Sequence, residues 1–291
     1  MSSNKLLYKY QGAGNDFVLI EEASSFTFQP SVIKKLCDRH HGLGADGVLQ
    51  LEKLKDDSSL WRMRIYNADG SLATMCGNGL RAVAAHVWKK EASSHRFSIQ
   101  SDGGIHEILP AIPLQAQTSS SLYFAKTCFG KVQAIEKSPH LTLDLQASKA
   151  WLQEKSVKAT YFLDSGVPHL FFLTDKDEAD LYSLGKYWRY HPRFSPEGTN
   201  VSVGFFQNET LHLRTYERGV ENITHACGTG AVAAAVALLD FLKDNTRSSV
   251  QVQFPQEPIM KVEQDSNGLS WLTGPAAFVF QTQDYDSALL N

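Results

Sequence analysis

In two places the chain alternates apolar and polar residues and then gives way to a run that is apolar on nearly every face. In the first, Trp61, Met63 and Ile65 alternate with Arg62, Arg64 and Tyr66, the period-two pattern of a strand buried on one face. A turn at Ala68-Asp69-Gly70 and the segment Met75-Cys76-Gly77-Asn78-Gly79 follow, and Leu80 to Trp88 then predicts a buried helix. In the second, Leu211, Leu213 and Thr215 alternate with His212, Arg214 and Tyr216. A turn near Arg218-Gly219 and Ala226-Cys227-Gly228-Thr229-Gly230 lead into Ala231 to Leu242, again with the pattern of a helix buried all round.

Strand, turn, Cys-Gly-x-Gly and buried helix thus recur in the same order, with the two cysteines 151 positions apart, about half of a 291-residue chain. Two such units in register read as an internal duplication. Arg96 to Gln100, Asp102-Gly103-Gly104 and Ile105 to Leu109 predict a hairpin. Ala111 to Ser121, rich in Ser, Gln and Pro, reads as a linker, and strands are expected at Leu141 to Leu145, Tyr161 to Leu163 and Leu170 to Leu173. The fold class expected is α+β: two pseudo-symmetric halves, each a curved mixed sheet or barrel wrapped around one buried central helix. The boundaries expected are residues 1–122, completed by the tail 275–291, and residues 123–274. A small-molecule site is expected where the halves meet.

Charge removes some function classes. A formal net charge of −3 gives no basic field, which argues against a nucleic-acid partner. The longest apolar run, Ala231 to Leu239, is too short to span a bilayer, and Met1 to Gln11 has neither an apolar signal core nor an Arg-rich amphipathic pattern. A cytoplasmic location without a membrane partner is the expectation. The four cysteines, Cys37, Cys76, Cys128 and Cys227, form no C-x-x-C pair, so neither a zinc ribbon nor a thioredoxin-type site is expected. Cys37 and Cys128 read as small hydrophobes.

Cys76 and Cys227 carry a different implication. A helix N-terminus presents unpaired N–H groups and a positive dipole end, which stabilise a thiolate and bind a carboxylate. Inverting a carbon centre needs a base on one face and an acid on the other. Two near-equivalent cysteines, one thiolate and one thiol, meet that demand and exchange roles in the reverse direction. Helix ends directed at the α-carboxylate would stabilise the carbanion-like state, so no pyridoxal phosphate, other cofactor or metal is expected.

These residues resemble the diaminopimelate epimerase family, and the resemblance covers nearly the whole chain. It is carried by Gly12-Ala13-Gly14-Asn15-Asp16-Phe17, by Arg39-His40-His41-Gly42-Leu43-Gly44-Ala45-Asp46, and by Tyr66-Asn67-Ala68-Asp69-Gly70-Ser71 with Cys76-Gly77-Asn78-Gly79. Pro168-His169, Gly198-Thr199-Asn200-Val201, Glu217-Arg218-Gly219, Ala226-Cys227-Gly228-Thr229-Gly230 and Gly274-Pro275-Ala276 follow in family order. The resemblance implies interconversion of LL- and meso-2,6-diaminopimelate, on the route to lysine and peptidoglycan, by a cofactor-independent homodimer. It implies Cys76 and Cys227 as the acid/base pair, with His169 and Glu217 tuning the thiols. Gly77, Asn78, Gly228 and Thr229 would hold the reacting carboxylate, Asn67 and Glu217 the α-ammonium, and Arg218, Asn200 and Asn15 the distal end.

Three positions depart from the family pattern. Gly47 and Val167 stand where the family has Gln and Asn, and the segment Val220 to His225 is one residue longer. The lost amides predict looser recognition of the distal end and some action on glutamate. The alternative is another pyridoxal-phosphate-independent racemase, of glutamate or proline type. Gly47 also completes Gly42-x-Gly44-x-x-Gly47, a dinucleotide-binding pattern in form only, because it follows a helix and lacks the βαβ context.

Overall fold

The computed structural model describes residues 5–23, 25–57, 59–92, 94–111, 121–138, 157–175 and 180–283. The chain divides into two compact units, Met1–Thr127 with Thr273–Asn291, and Cys128–Leu272.

In the first unit, β1 (Leu7–Gly12) and β2 (Asn15–Glu21) form a hairpin, and α1 (Pro30–Cys37) leads to β3 (Gly47–Lys53), which pairs parallel with β2. β4 (Leu60–Asn67) returns antiparallel to β3, and the two-residue β5 (Leu72–Ala73) folds back on it. Helix α2 (Gly77–Glu91) then carries the chain to β6 (Phe97–Ser101), parallel to β4, and β7 (Gly104–Pro110) and β8 (Leu122–Gly130) follow antiparallel. The alternation in β4 explains the core: Trp61, Met63 and Ile65 turn inward and share one cluster with Leu80, Val83 and Val87 of α2. Each large apolar side chain so buried contributes about 1.5–3 kcal/mol.

The second unit repeats this topology element by element. After β9 (Gln133–Ser138), the hairpin is β10 (Ala159–Asp164) with β11 (Pro168–Thr174), and α3 (Leu181–Arg189) leads to β12 (Asn200–Gln207), parallel to β11. β13 (Thr210–Glu217) returns antiparallel with a short β14 (Asn222–Thr224). Helix α4 (Gly228–Leu242) precedes β15 (Ser249–Gln253), parallel to β13, and β16 (Met260–Gln264) and β17 (Ser270–Thr282) complete the order. The α+β fold with one buried helix per repeat agrees with the sequence reading.

The helices begin earlier than the apolar runs suggest. Gly-x-Gly is the first turn of each helix rather than its approach, because the preceding cysteine is the N-cap. Both helices close on a left-handed residue, Ala92 and Lys243. Residues 112–120 of the expected linker, the strand expected at Leu141 to Leu145, and the tail beyond residue 283 lie outside the described residues.

Candidate active site

Each unit carries one cysteine centre, and the two are built alike. Cys76 and Cys227 have extended backbone angles, and each Sγ accepts the N–H of the residue three positions on, Gly79 and Gly230, at 3.4 Å. The cap thus satisfies one of the orphan donors of the helix with a sulfur. The closing glycine is required by space. A Cβ at Gly230 would lie 3.3 Å from Cys227 Sγ and 3.0 Å from Thr215 Oγ1, and one at Gly79 would meet Leu49 Cδ2 at 3.1 Å.

Around Cys76, which is partly exposed, the first unit gathers amides. Asn78 is buried and donates through Nδ2 to Asn15 Oδ1, while Asn15 Nδ2 donates to Asp46 Oδ2 at 3.3 Å. Asn67 ends β4, where its Nδ2 donates to Ser71 Oγ at 3.0 Å. The carboxylates of Asp16 and Asp46 share Arg39, at 2.8 Å each, and Lys9 bonds both Asp16 and the Gly44 carbonyl. These pairs hold the Arg39–Asp46 motif beside β2, and they hold Asp16 down to about 2 against the opposing effect of burial. The Gly42-x-Gly44-x-x-Gly47 segment lies between α1 and β3, the reverse of a dinucleotide site.

Gly47 opens β3 opposite Asn67, and a Cβ there would lie 2.6 Å from the Tyr66 carbonyl oxygen. Glycine therefore answers a close backbone approach at this position, a constraint that the comparison with glutamine did not reveal.

Around Cys227, which is 4% exposed, the second unit gathers hydroxyls and titratable groups. Thr229 Oγ1 lies 3.3 Å from Cys227 Sγ and 2.9 Å from His169 Nε2. His169 is fully buried, its Nδ1 meets no partner, and burial first and the Arg218 charge second pull its pKa down to about 3. The Glu217 carboxyl hydrogen-bonds Cys227 and accepts from Thr224 Oγ1 at 2.9 Å; burial nevertheless raises its pKa above the usual range. Asn200 pairs with His169 in the β11–β12 register, accepts the Arg218 N–H at 2.8 Å and donates to the Pro168 carbonyl at 3.0 Å. Its amide therefore holds the Arg218 backbone. The Arg218 side chain is about a quarter exposed and reaches Glu197 at 3.5 Å. Val167 lies in the turn between β10 and β11, where Ser165 Oγ donates to the Thr229 carbonyl at 2.9 Å.

The sequence reading missed three groups: Ser165 and Thr224, which brace Thr229 and Glu217, and Arg81, a guanidinium buried in α2. The signal for Arg81 was present, since a charge inside a run read as buried on every face is an anomaly. Among the described residues no three His, Cys, Asp or Glu side chains converge as metal ligands, and no helix is long and apolar enough to cross a membrane.

The fold is shared with solved racemases and epimerases. It is similar to a hydroxyproline epimerase from Agrobacterium vitis (TM-score 0.66, 12% identity, 96% of this chain and 91% of that one). It is also similar to a phenazine biosynthesis protein of the PhzF family from Bacillus anthracis (TM-score 0.67, 10% identity, 96% and 98% covered). Fold and sequence relatives together define an isomerase of the racemase and epimerase class. Residues 7–112 and 161–279 match the model of diaminopimelate epimerase. Relatives described as diaminopimelate epimerase include one from Hydrogenobaculum sp. (strain Y04AAS1), 31% identical with 95% of this chain and 97% of the relative covered. Another, from Caldanaerobacter subterraneus subsp. tengcongensis, is 35% identical with 94% and 97% covered. The chain belongs to the diaminopimelate epimerase family.

Proposed function

We propose that this chain interconverts LL- and meso-2,6-diaminopimelate with Cys76 and Cys227 as its acid/base pair and with no cofactor. The observation that carries the reading is the duplicated centre: two buried helices of 15 residues, each capped by a cysteine sulfur. In the forward direction one thiolate takes the α-proton as the C–H bond breaks, and the other thiol delivers a proton to the opposite face. The product leaves the two sulfurs with exchanged protonation, and the reverse reaction restores them. The N–H groups of Gly77, Asn78, Gly228 and Thr229, at two helix N-termini, receive the α-carboxylate where charge builds up.

Asn67 and Glu217 orient the α-ammonium; Asn15, Asn200 and Arg218 hold the distal end. His169 and Glu217 adjust the thiol at Cys227. The reading extends to two half-domains, residues 1–122 with 275–291 and residues 123–274, and to a cytoplasmic homodimer. A net charge of −3 favours a small-molecule substrate over nucleic acid.

The test is to incubate the protein with LL-diaminopimelate in deuterium oxide, with hydroxylamine present to trap any carbonyl cofactor. The meso isomer and deuterium at the α-carbon should appear together in the NMR spectrum. Absence of both would refute the assignment.

A further inference from the structure

Arg81 is 0% exposed, stands in the second turn of α2, and meets no carboxylate. Its Nε donates to the Pro275 carbonyl at 3.3 Å and its Nη2 donates to Asn78 Oδ1, while Nη1 meets no acceptor. A guanidinium taken out of water without an anion is costly, and a helix of this burial would ordinarily carry an aliphatic residue there. Burial lowers its pKa to about 10, and the charge that opposes burial is that of Cys76.

The donor and acceptor roles along this line are fixed by its two ends. Arginine only donates, so Asn78 must turn its carbonyl oxygen toward Arg81 and its amide nitrogen toward Asn15. An ionised Asp46 only accepts, so Asn15 must turn its nitrogen toward Asp46 and its oxygen toward Asn78. Neither amide can flip without facing like against like. Each retains one N–H outside the relay.

We propose that Arg81 is a positioning residue for the first cysteine centre: it sets the directions of the Asn78 and Asn15 amides through this one-way relay and supplies the cation that stabilises the Cys76 thiolate. The relay half of the proposal rests on the epimerase reading, because it concerns how those amides meet the substrate. The charge half does not, since thiolate formation is measurable without turnover.

The test compares the parent chain with Arg81→Gln, which keeps a donor of similar reach without the charge, and Arg81→Met, which removes both. Fold is checked by circular dichroism. The rate of iodoacetamide alkylation of Cys76 is followed against pH by peptide mass spectrometry, with Cys227 read from the same digests. The Cys76 midpoint should rise by about one pH unit or more in either folded variant, since a nearby opposite charge shifts a pKa by roughly that amount, while Cys227 holds its parent profile. The KM for diaminopimelate should rise about tenfold in Arg81→Met and less in Arg81→Gln, the loss expected for one hydrogen bond to a charged group. A folded Arg81→Gln whose Cys76 midpoint matches the parent overturns the proposal, whether or not the parent is active. A parent that alkylates as described but turns over no diaminopimelate would instead refute the epimerase reading alone.

Discussion

His169 Nε2 lies 2.9 Å from Thr229 Oγ1, and that hydroxyl lies 3.3 Å from the Cys227 sulfur. With its pKa held near 3 by burial, the imidazole is uncharged at neutral pH, so it reaches the thiol by hydrogen bonding through Thr229 and not by charge. Thr229→Val removes that hydroxyl at nearly constant shape. It is expected to lower kcat/KM by about tenfold to a hundredfold while Thr229→Ser stays near the parent. Parent-like kcat/KM in the valine variant would show that the hydroxyl is idle.

The same histidine makes stability depend on pH. Its folded-state pKa, about 3, lies below the ordinary 6.5, so the unfolded chain binds the extra proton between those values. Its contribution is therefore fully present above pH 6.5 and is lost progressively as pH falls toward 3. Thermal unfolding should show Tm falling on acidification below pH 6.5, and His169→Gln should flatten the upper part of that slope, before the carboxylates titrate. An unchanged slope in the variant would contradict a neutral buried His169.

Gly47 is held to glycine by the Tyr66 carbonyl, 2.6 Å from where a Cβ would lie. Gly47→Ala is expected to destabilise the chain by about 1–3 kcal/mol, and Gly47→Gln by no less. A urea titration reads this as a lowered midpoint at constant slope. An unmoved midpoint would mean that the strand shifts freely there.

Val167 tests the distal end without that cost, because it lies in a turn. If a family amide is missing at this position, Val167→Asn should raise the preference for diaminopimelate over glutamate in kcat/KM by about tenfold. An unmoved ratio would mean that the position does not read the substrate.

What could be read from the sequence was local. The alternation at Trp61–Ile65 and Leu211–Thr215 gave two strands, and the repeated Cys-Gly-x-Gly before an apolar run gave both helices and the duplication. The parallel pairings β2–β3 and β11–β12 join segments separated by helices and leave no periodic trace. α3 was missed although Asp180 caps it by accepting the Ser183 N–H, because Asp-x-x-Ser is a common turn as well. Arg81 bonds a carbonyl 194 positions away, and Gly47 answers a neighbouring strand; neither constraint is written in adjacent residues.

The central claim is that two thiols serve opposite faces of one carbon, and the most direct measurement separates the two half-reactions. Cys76→Ser and Cys227→Ser are each incubated with LL- and with meso-diaminopimelate in deuterium oxide, and NMR follows isomer and α-deuterium separately. Serine is nearly isosteric, but its hydroxyl is far too weak an acid to replace a thiol. Each folded variant should lose epimerisation by several orders of magnitude, and any α-proton exchange that survives should occur from one isomer only, the opposite one in each variant. Full turnover by either serine variant would contradict the two-thiol account.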